Sequence, residues 1–221
     1  FLPYLADVRI ASTGDSRVWN NWYTTPSLRA TGRSKGNKPV VVYAHIPHYF
    51  SNPGNIAKAV DQGLMNYAGR MPKKEFQKLL SLEDNENVFV IDYNKLKSSS
   101  SGVIDVSEAL EHPQTVPFLG GQARAEQYLQ RYKEVKGNRI GIWHSDDLDN
   151  EPLGRLLFLG GRYDALSGDN LLNYYGRFVG VAPKARASRK TSPYKKAGAV
   201  SGPSLDEILA LGPEHVSKAG R

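Results

Sequence analysis

The sequence predicts a three-layer α/β domain: a mostly parallel sheet with helices on both faces, followed by a flexible basic C-terminal tail. Three observations lead there. Apolar runs of strand length alternate with stretches of helical period, the order a parallel sheet needs because its crossovers are usually helical. Val40–Ala44 (VVVYA) is β-branched and apolar on both parities, the pattern of a strand covered on both faces. After Pro183 the hydrophobic pattern gives way to Lys, Arg, Ser, Pro and Gly, the composition of a linker.

Taken in order, Val8–Ala11 is a candidate strand near the amino end, and Trp19, Trp22 and Tyr23 form an aromatic cluster read chiefly as core. After the Val40–Ala44 strand, Ser51–Gly54 has turn chemistry. Ile56, Val60, Leu64 and Tyr67 then recur at helical spacing, with Gly69 placed to end the run. A second helix opens at Pro72 and carries Phe76, Leu79 and Leu80 on one face. Asn87–Tyr93 (NVFVIDY) is a second strand, and Lys97–Gly102 a polar loop. Asp105 and Glu108 have the spacing of a capping box before a helix over Val106–Glu111. Gln122–Val135 places Ala125, Leu129, Tyr132 and Val135 on one stripe, and Gly137-Asn138 stops it. Arg139–Trp143 is a third strand and Arg177–Val181 a fourth.

These assignments give a single domain over residues 1–183, a basic linker over 184–203 and a short amphipathic segment over 204–221. Within the last, Ser204 and Glu207 have capping-box spacing, and Leu205, Ile208 and Leu209 line one face of a two-turn helix. A helix that short needs a surface to fold on, either its own domain or a protein partner. The linker holds Lys184, Arg186, Arg189, Lys190, Lys195 and Lys196 without an acid, six of the seven units of net positive charge. Such an arm attracts polyanions by Coulomb forces and counterion release, so nucleic acid is the expected partner. There is no cysteine, which excludes disulfides, thiolate metal sites and cysteine nucleophiles. No apolar run is long enough to span a bilayer, so a cytoplasmic protein without membrane contact is expected.

In a parallel sheet, ligands bind outside the carboxyl ends of the strands. The residues read off at those positions are His45 and His48 after the first strong strand, Asp92 in the second, and His144, Ser145, Asp146, Asp147, Asp149 and Glu151 after the third. Imidazoles and carboxylates together suit a divalent cation, zinc, manganese or magnesium. The expected site assigns metal binding to His45, His48, Asp92, Asp149 and Glu151, and catalysis to His144, Asp146 and Asp147. The corresponding function is a metal-dependent hydrolase or phosphoryl-transfer enzyme acting on a phosphate-containing or polyanionic substrate, nucleic acid among them. The alternative is a non-catalytic nucleic-acid-binding or assembly protein that uses the basic tail and the C-terminal helix.

Two local resemblances accompany this reading. Asp147, Asp149 and Glu151 alternate after a buried strand, an arrangement suited to holding Mg²⁺ through carboxylates for phosphoryl transfer, and they resemble the D-x-D-x-E end of the Toprim domain of topoisomerases and primases. Toprim domains also carry a glutamate after an earlier strand, where Val40–Tyr49 offers His45 and His48 instead. Gly14-Asp15-Ser16 resembles the first block of the SGNH hydrolases, in which the serine is the nucleophile. The partner block D-x-x-H is approximated only by Glu108–His112, at a different spacing.

Overall fold

A computed structural model of the chain describes residues 1–161, 165–169 and 172. Its elements run as α1 (Leu2–Ala11), α2 (Arg17–Asn20), β1 (Tyr23–Arg33), β2 (Pro39–Ala44), a 3-10 turn (Tyr49–Ser51), α3 (Pro53–Asp61), β3 (Gly69–Arg70), α4 (Lys73–Leu80), β4 (Val88–Asp92) and α5 (Tyr93–Lys97). There follow β5 (Gly102–Asp105), α6 (Val106–Ala109), α7 (Thr115–Leu119), α8 (Gln122–Lys136), β6 (Arg139–Trp143), β7 (Leu153–Leu159) and β8 (Leu166–Ser167). The expected Arg177–Val181 strand, the basic segment 184–203 and the helix within 204–221 lie outside the described residues. Among the described residues no helix is long and apolar enough to cross a membrane.

The sheet runs β4-β2-β1-β7-β8-β6-β5, with β3 added against β7. Of these pairings β6 with β8 is parallel and the others are antiparallel. The expected three-layer, mostly parallel α/β sheet is therefore corrected to a mixed, mostly antiparallel one. The reason lies in β2. Val41 and Tyr43 enter one apolar cluster while Val40, Val42 and Ala44 enter another, so the strand is buried on both faces as expected. Burial on both faces does not fix the direction of the neighbours, and here β1 and β4 both run against it.

The strand that sets this direction, β1, carries Thr24, Thr25, Pro26, Ser27, Arg29 and Gly32 and reads as polar loop rather than sheet. It holds because both faces are occupied. Leu28 and Ala30 join the cluster with Phe50, Phe76 and Leu156, and at Gly32 an added Cβ would fall 2.7 Å from the Phe76 ring. Gly154 on β7 likewise leaves room for the ring of Phe50, 2.7 Å from where a Cβ would sit. Around Pro26, which cannot donate to the ladder, the β1–β7 register shifts between Thr24 and Leu28.

Other boundaries moved for local reasons. Val8–Ala11 ends α1 instead of forming a strand, since Leu2, Leu5, Ala6 and Arg9 make a buried helical stripe and a proline opens the first turn. The helix through Tyr67 stops at Asp61, and Met65–Ala68 closes into a tight turn. Asp105 precedes α6 without a side-chain cap. Ser16, the serine of the Gly14-Asp15-Ser16 resemblance, caps α2 through its hydroxyl.

α1, α7 and α8 cover one face of the sheet, where Tyr128, Leu129 and Tyr132 meet Ile140, Ile142, Leu157 and Leu159. Arg9 is wholly buried there and donates to the carbonyls of Val18, Asn21, Leu159 and Gly160 and to the Tyr128 hydroxyl. Its guanidinium also lies 5.4 Å from the Trp19 ring centre. A buried guanidinium with every donor turned to an acceptor ties α1 to one end of the central strands, where the start of β1 pairs with the end of β7. The aromatic cluster is core here: Trp19 and Tyr23 are buried, and Trp22 lies against Phe158.

Candidate functional site

Antiparallel pairing decides which of the expected site residues meet. Val40 pairs with Asp92 and Ala44 with Val88, so His45 follows one end of β2 and Asp92 sits at the other, about 17 Å apart at the ordinary rise of a strand. In a parallel sheet both would have left the same edge.

His45 is enclosed. Its Nε2 lies 2.9 Å from the Pro117 carbonyl, which can only accept, so this nitrogen carries the proton. Nδ1 then accepts from the Ser27 hydroxyl at 3.0 Å, and the same oxygen accepts from the Leu2 amide at 2.8 Å. Burial pushes this imidazole down to about 4, so it is neutral near pH 7. His48 is spent in the same way. Nε2 donates to the Pro26 carbonyl at 2.9 Å, Nδ1 accepts from the Phe50 amide at 3.2 Å, and burial lowers it to about 4. Both rings use both nitrogens to fasten β1, β2 and α7 together.

Asp92 caps α5 by accepting from the amides of Asn94 and Lys95, and pairs with Lys38 at 3.5 Å. Those amide bonds, ahead of the lysine, hold its carboxyl below the usual range. The loop from His144 to Pro152 carries the remaining expected residues. His144 donates through Nε2 to the Ser99 hydroxyl, which itself donates to Leu96, and its ring centre is 5.7 Å from that of His112. The backbone carbonyl of Asp146 accepts from the Tyr93 hydroxyl. Asp147 pairs with Arg155, Asp149 lies 3.6 Å from Arg70, and Glu151 is exposed. The structure thus brings His144, Asp146, Asp147, Asp149 and Glu151 onto one loop and leaves His45 and His48 elsewhere, each ring committed to its own partners. Among the described residues no three His, Cys, Asp or Glu side chains gather as a metal site.

What organises the loop lies beneath it. Arg29 on β1 and Arg155 on β7 are register partners, and both are buried. Arg29 donates to the Ser145 hydroxyl at 2.9 Å and to the Ser145 carbonyl at 2.5 Å. Arg155 donates to Asp147, to the Asn66 carbonyl at 2.6 Å and to the Asp169 carbonyl at 3.2 Å. Burial raises the Asp147 carboxyl, but the bonds from Asn66 and Arg155 outweigh it and hold the group below the usual range. Gln114 completes the floor. Its amide donates to the carbonyls of Trp143 and Leu166 at 3.0 and 2.9 Å, and its carbonyl accepts from Tyr43 at 2.9 Å. Burial pushes the Tyr43 phenol up to about 12, so this hydroxyl stays a donor.

The Met65–Ala68 turn is held from the same floor. Asn66 and Tyr67 both have positive φ, 46° and 67°, the primed-turn geometry that suits asparagine and strains tyrosine. Asn66 compensates by donating to Asp147 at 2.9 Å while its carbonyl accepts from Arg155. Tyr67 is left 57% exposed beside the loop. The arrangement offers an aromatic ring, carboxylates and amides on an outer surface above buried cations. That chemistry suits contact with a ligand more than bond breaking, since the cations are already engaged beneath and the outward groups lie exposed. Sequence reasoning found the acidic loop and missed Arg29, Asn66, Tyr67, Gln114 and Arg155. Arg155 had a signal: one cation inside LGRLLFL needs a buried acceptor.

Arg155→Met leaves Asp147 buried without its cation and is expected to destabilise the protein by about 3–5 kcal/mol, read by denaturant unfolding. Arg155→Met with Asp147→Leu is expected to recover much of that loss; a double variant no better than the single would mean that the pair is not coupled. Acid has a second signature. His45, His48 and His112 have folded values near 4, below their unfolded values near 6.5, so the unfolded chain takes up protons first. Their contribution is full above about pH 6.5 and is lost as pH falls toward about 4, with Asp147 adding its loss below that. The melting temperature measured from pH 8 to 4 should be level and then fall; a level profile to pH 4 would show that these imidazoles titrate normally.

No known family pattern matches the chain, and no curated protein does. A solved structure described as "Accommodation of massive sequence variation in Nanoarchaeota by the C-type lectin fold" is similar to it. The two share 58% identity over 82% of this chain and 86% of that one, with a TM-score of 0.79. This likeness overturns the expected metal-dependent hydrolase or phosphoryl-transfer enzyme, along with its description as a metal-binding α/β hydrolase. The physical error was the assumed parallel edge, which alone had gathered histidines and acids into one cavity. At this identity and coverage, the chain belongs to the family of proteins built on the C-type lectin fold.

Proposed function

We propose that the chain is a non-catalytic binding protein in which the loop 144–152 and the Met65–Ala68 turn form a recognition face on a rigid frame. The observation that carries this reading is the reach of one buried side chain: Arg155 takes Asp147 from the loop and the Asn66 carbonyl from the turn. Both segments therefore hang from β7, while Tyr67, Asp146, Asn150 and Glu151 stay exposed. Anchors below and replaceable side chains above are what a binding surface needs if its contacts are to change without loss of the fold. The likeness to a protein described as accommodating massive sequence variation supports the same division. Tyr67 contributes a large amphipathic contact at little entropic cost, since its strained turn already fixes the backbone.

Two libraries of the full chain displayed on yeast separate the roles. One randomises Tyr67, Asp146, Asn150 and Glu151; the other randomises Arg29, Asn66, Asp147 and Arg155. The first should remain mostly protease-resistant and yield members that bind hen lysozyme, whereas the second should mostly lose resistance. Equal survival of the two, or a surviving first library without binders, would contradict the proposal.

A further inference from the structure

Beside the recognition face, with which it shares Asn150, we infer that the cleft between the β1–β2 hairpin and α4 is a binding site for an oxyanion, a phosphate or sulfate group carried by a larger ligand. The cleft encloses about 630 Å³ and is lined by Arg33, Ser34 and Asn37 of the hairpin, Lys73 and Gln77 of α4, and Asn150. Among the described residues no carboxylate lines it. Residues 33–38 (RSKGNK) and 73–78 (KKEFQK) together place six cations against one acid, an asymmetry hidden by the small net charge of the folded body.

Three other cations of this part of the sheet already have acids. Lys38 pairs with Asp92, Arg70 with Asp149 and Arg155 with Asp147. Arg33 and Lys73 have no such pair among the described residues. Arg33 spends one donor on the Asn37 carbonyl at 3.2 Å, which orients the guanidinium and leaves its other N–H groups for a ligand. A guanidinium fork matches two oxygens of a tetrahedral oxyanion, and the ammonium of Lys73 adds charge without directional demand.

The two walls are fixed to each other. The Gln77 side chain donates to the Arg33 carbonyl at 2.8 Å, locking hairpin to helix. The hairpin tip is braced by the Asn37 amide to the Ser34 carbonyl at 2.9 Å and the Lys38 amide to the Ser34 hydroxyl at 3.2 Å. Asn37 takes the positive φ of 61° that the tip requires. The Ser34 hydroxyl, accepting from Lys38, keeps its proton to donate, and the amides of Asn37 and Asn150 add neutral donors. The volume exceeds what one inorganic ion fills and falls in the range of small-molecule sites, which leaves space for the group bearing the oxyanion.

The test is backbone-amide NMR of the full chain titrated with inorganic phosphate, and in parallel with sulfate, to about 50 mM at constant ionic strength to hold screening fixed. Saturable shifts at Ser34, Asn37 and Lys73 with either ion are expected. Arg33→Gln with Lys73→Gln, both at exposed positions, should weaken that response about tenfold or more, since a charge-assisted contact is lost at each. Lys184→Gln with Lys190→Gln should leave it unchanged. Shifts that never saturate, equal affinity in the Arg33/Lys73 variant, or a response confined to residues 184–196 would overturn the assignment. None of the substituted residues belongs to the recognition face, so either proposal can fail alone.

Discussion

A guanidinium cannot sit in an apolar interior without acceptors, and this sheet buries two of them side by side on its central strands. Arg29 and Arg155 face each other across β1 and β7, and backbone carbonyls of their own strands are already committed to the ladder. The acceptors must come from outside the sheet. Ser145 and Asp147 of the β6–β7 loop and the carbonyls of Asn66 and Asp169 supply them. Segments far apart in sequence are thereby drawn onto one edge, and their conformation is set by the need to satisfy charge rather than by local propensity. The positive φ of Tyr67, otherwise unfavourable, persists because Asn66 beside it is gripped from two sides.

The frame around this floor uses polar side chains in the same way. Arg9 gathers carbonyls from α2, β7 and the connections next to them, and His45 bridges Ser27 to Pro117. Gln114 joins the ends of β6 and β8. These links cross between elements where apolar contact alone would permit sliding, so they specify one register for a sheet with short edge strands. Apolar clusters on both faces supply the bulk of the driving force, and the polar links fix which arrangement it stabilises.

Much of the local structure was legible in the sequence. The β2, β4 and β6 strands lie where their apolar runs place them, and α4 and α8 follow the stripes of Phe76–Leu79 and Ala125–Tyr132. Direction was not legible, because a strand covered on both faces reads alike in parallel and antiparallel sheets. That single inference carried the expected active site: it put the residues after β2 and the end of β4 on one edge, whereas the register separates His45 from Asp92 by the length of the strand. β1 escaped notice because its inward positions include Arg29 and Ser27, and the space left by Gly32 belongs to Phe76. The acidic loop was found and its role misread. Asp147 is there to neutralise a buried cation, and that partner lies eight residues on, inside an apolar strand.

The central claim is that one polar floor holds both the loop and the Met65–Ala68 turn. It is tested most directly by amide hydrogen exchange in Asp147→Asn compared with the unsubstituted chain. The Met65 and Ala68 amides bond to each other's carbonyls across the turn. Faster exchange at these two, with Val41 and Val42 in the core unchanged, is the predicted result, since a change in the loop then loosens a turn about eighty residues away. Unaltered exchange at Met65 and Ala68 would show that the turn stands without the floor, and would contradict the account.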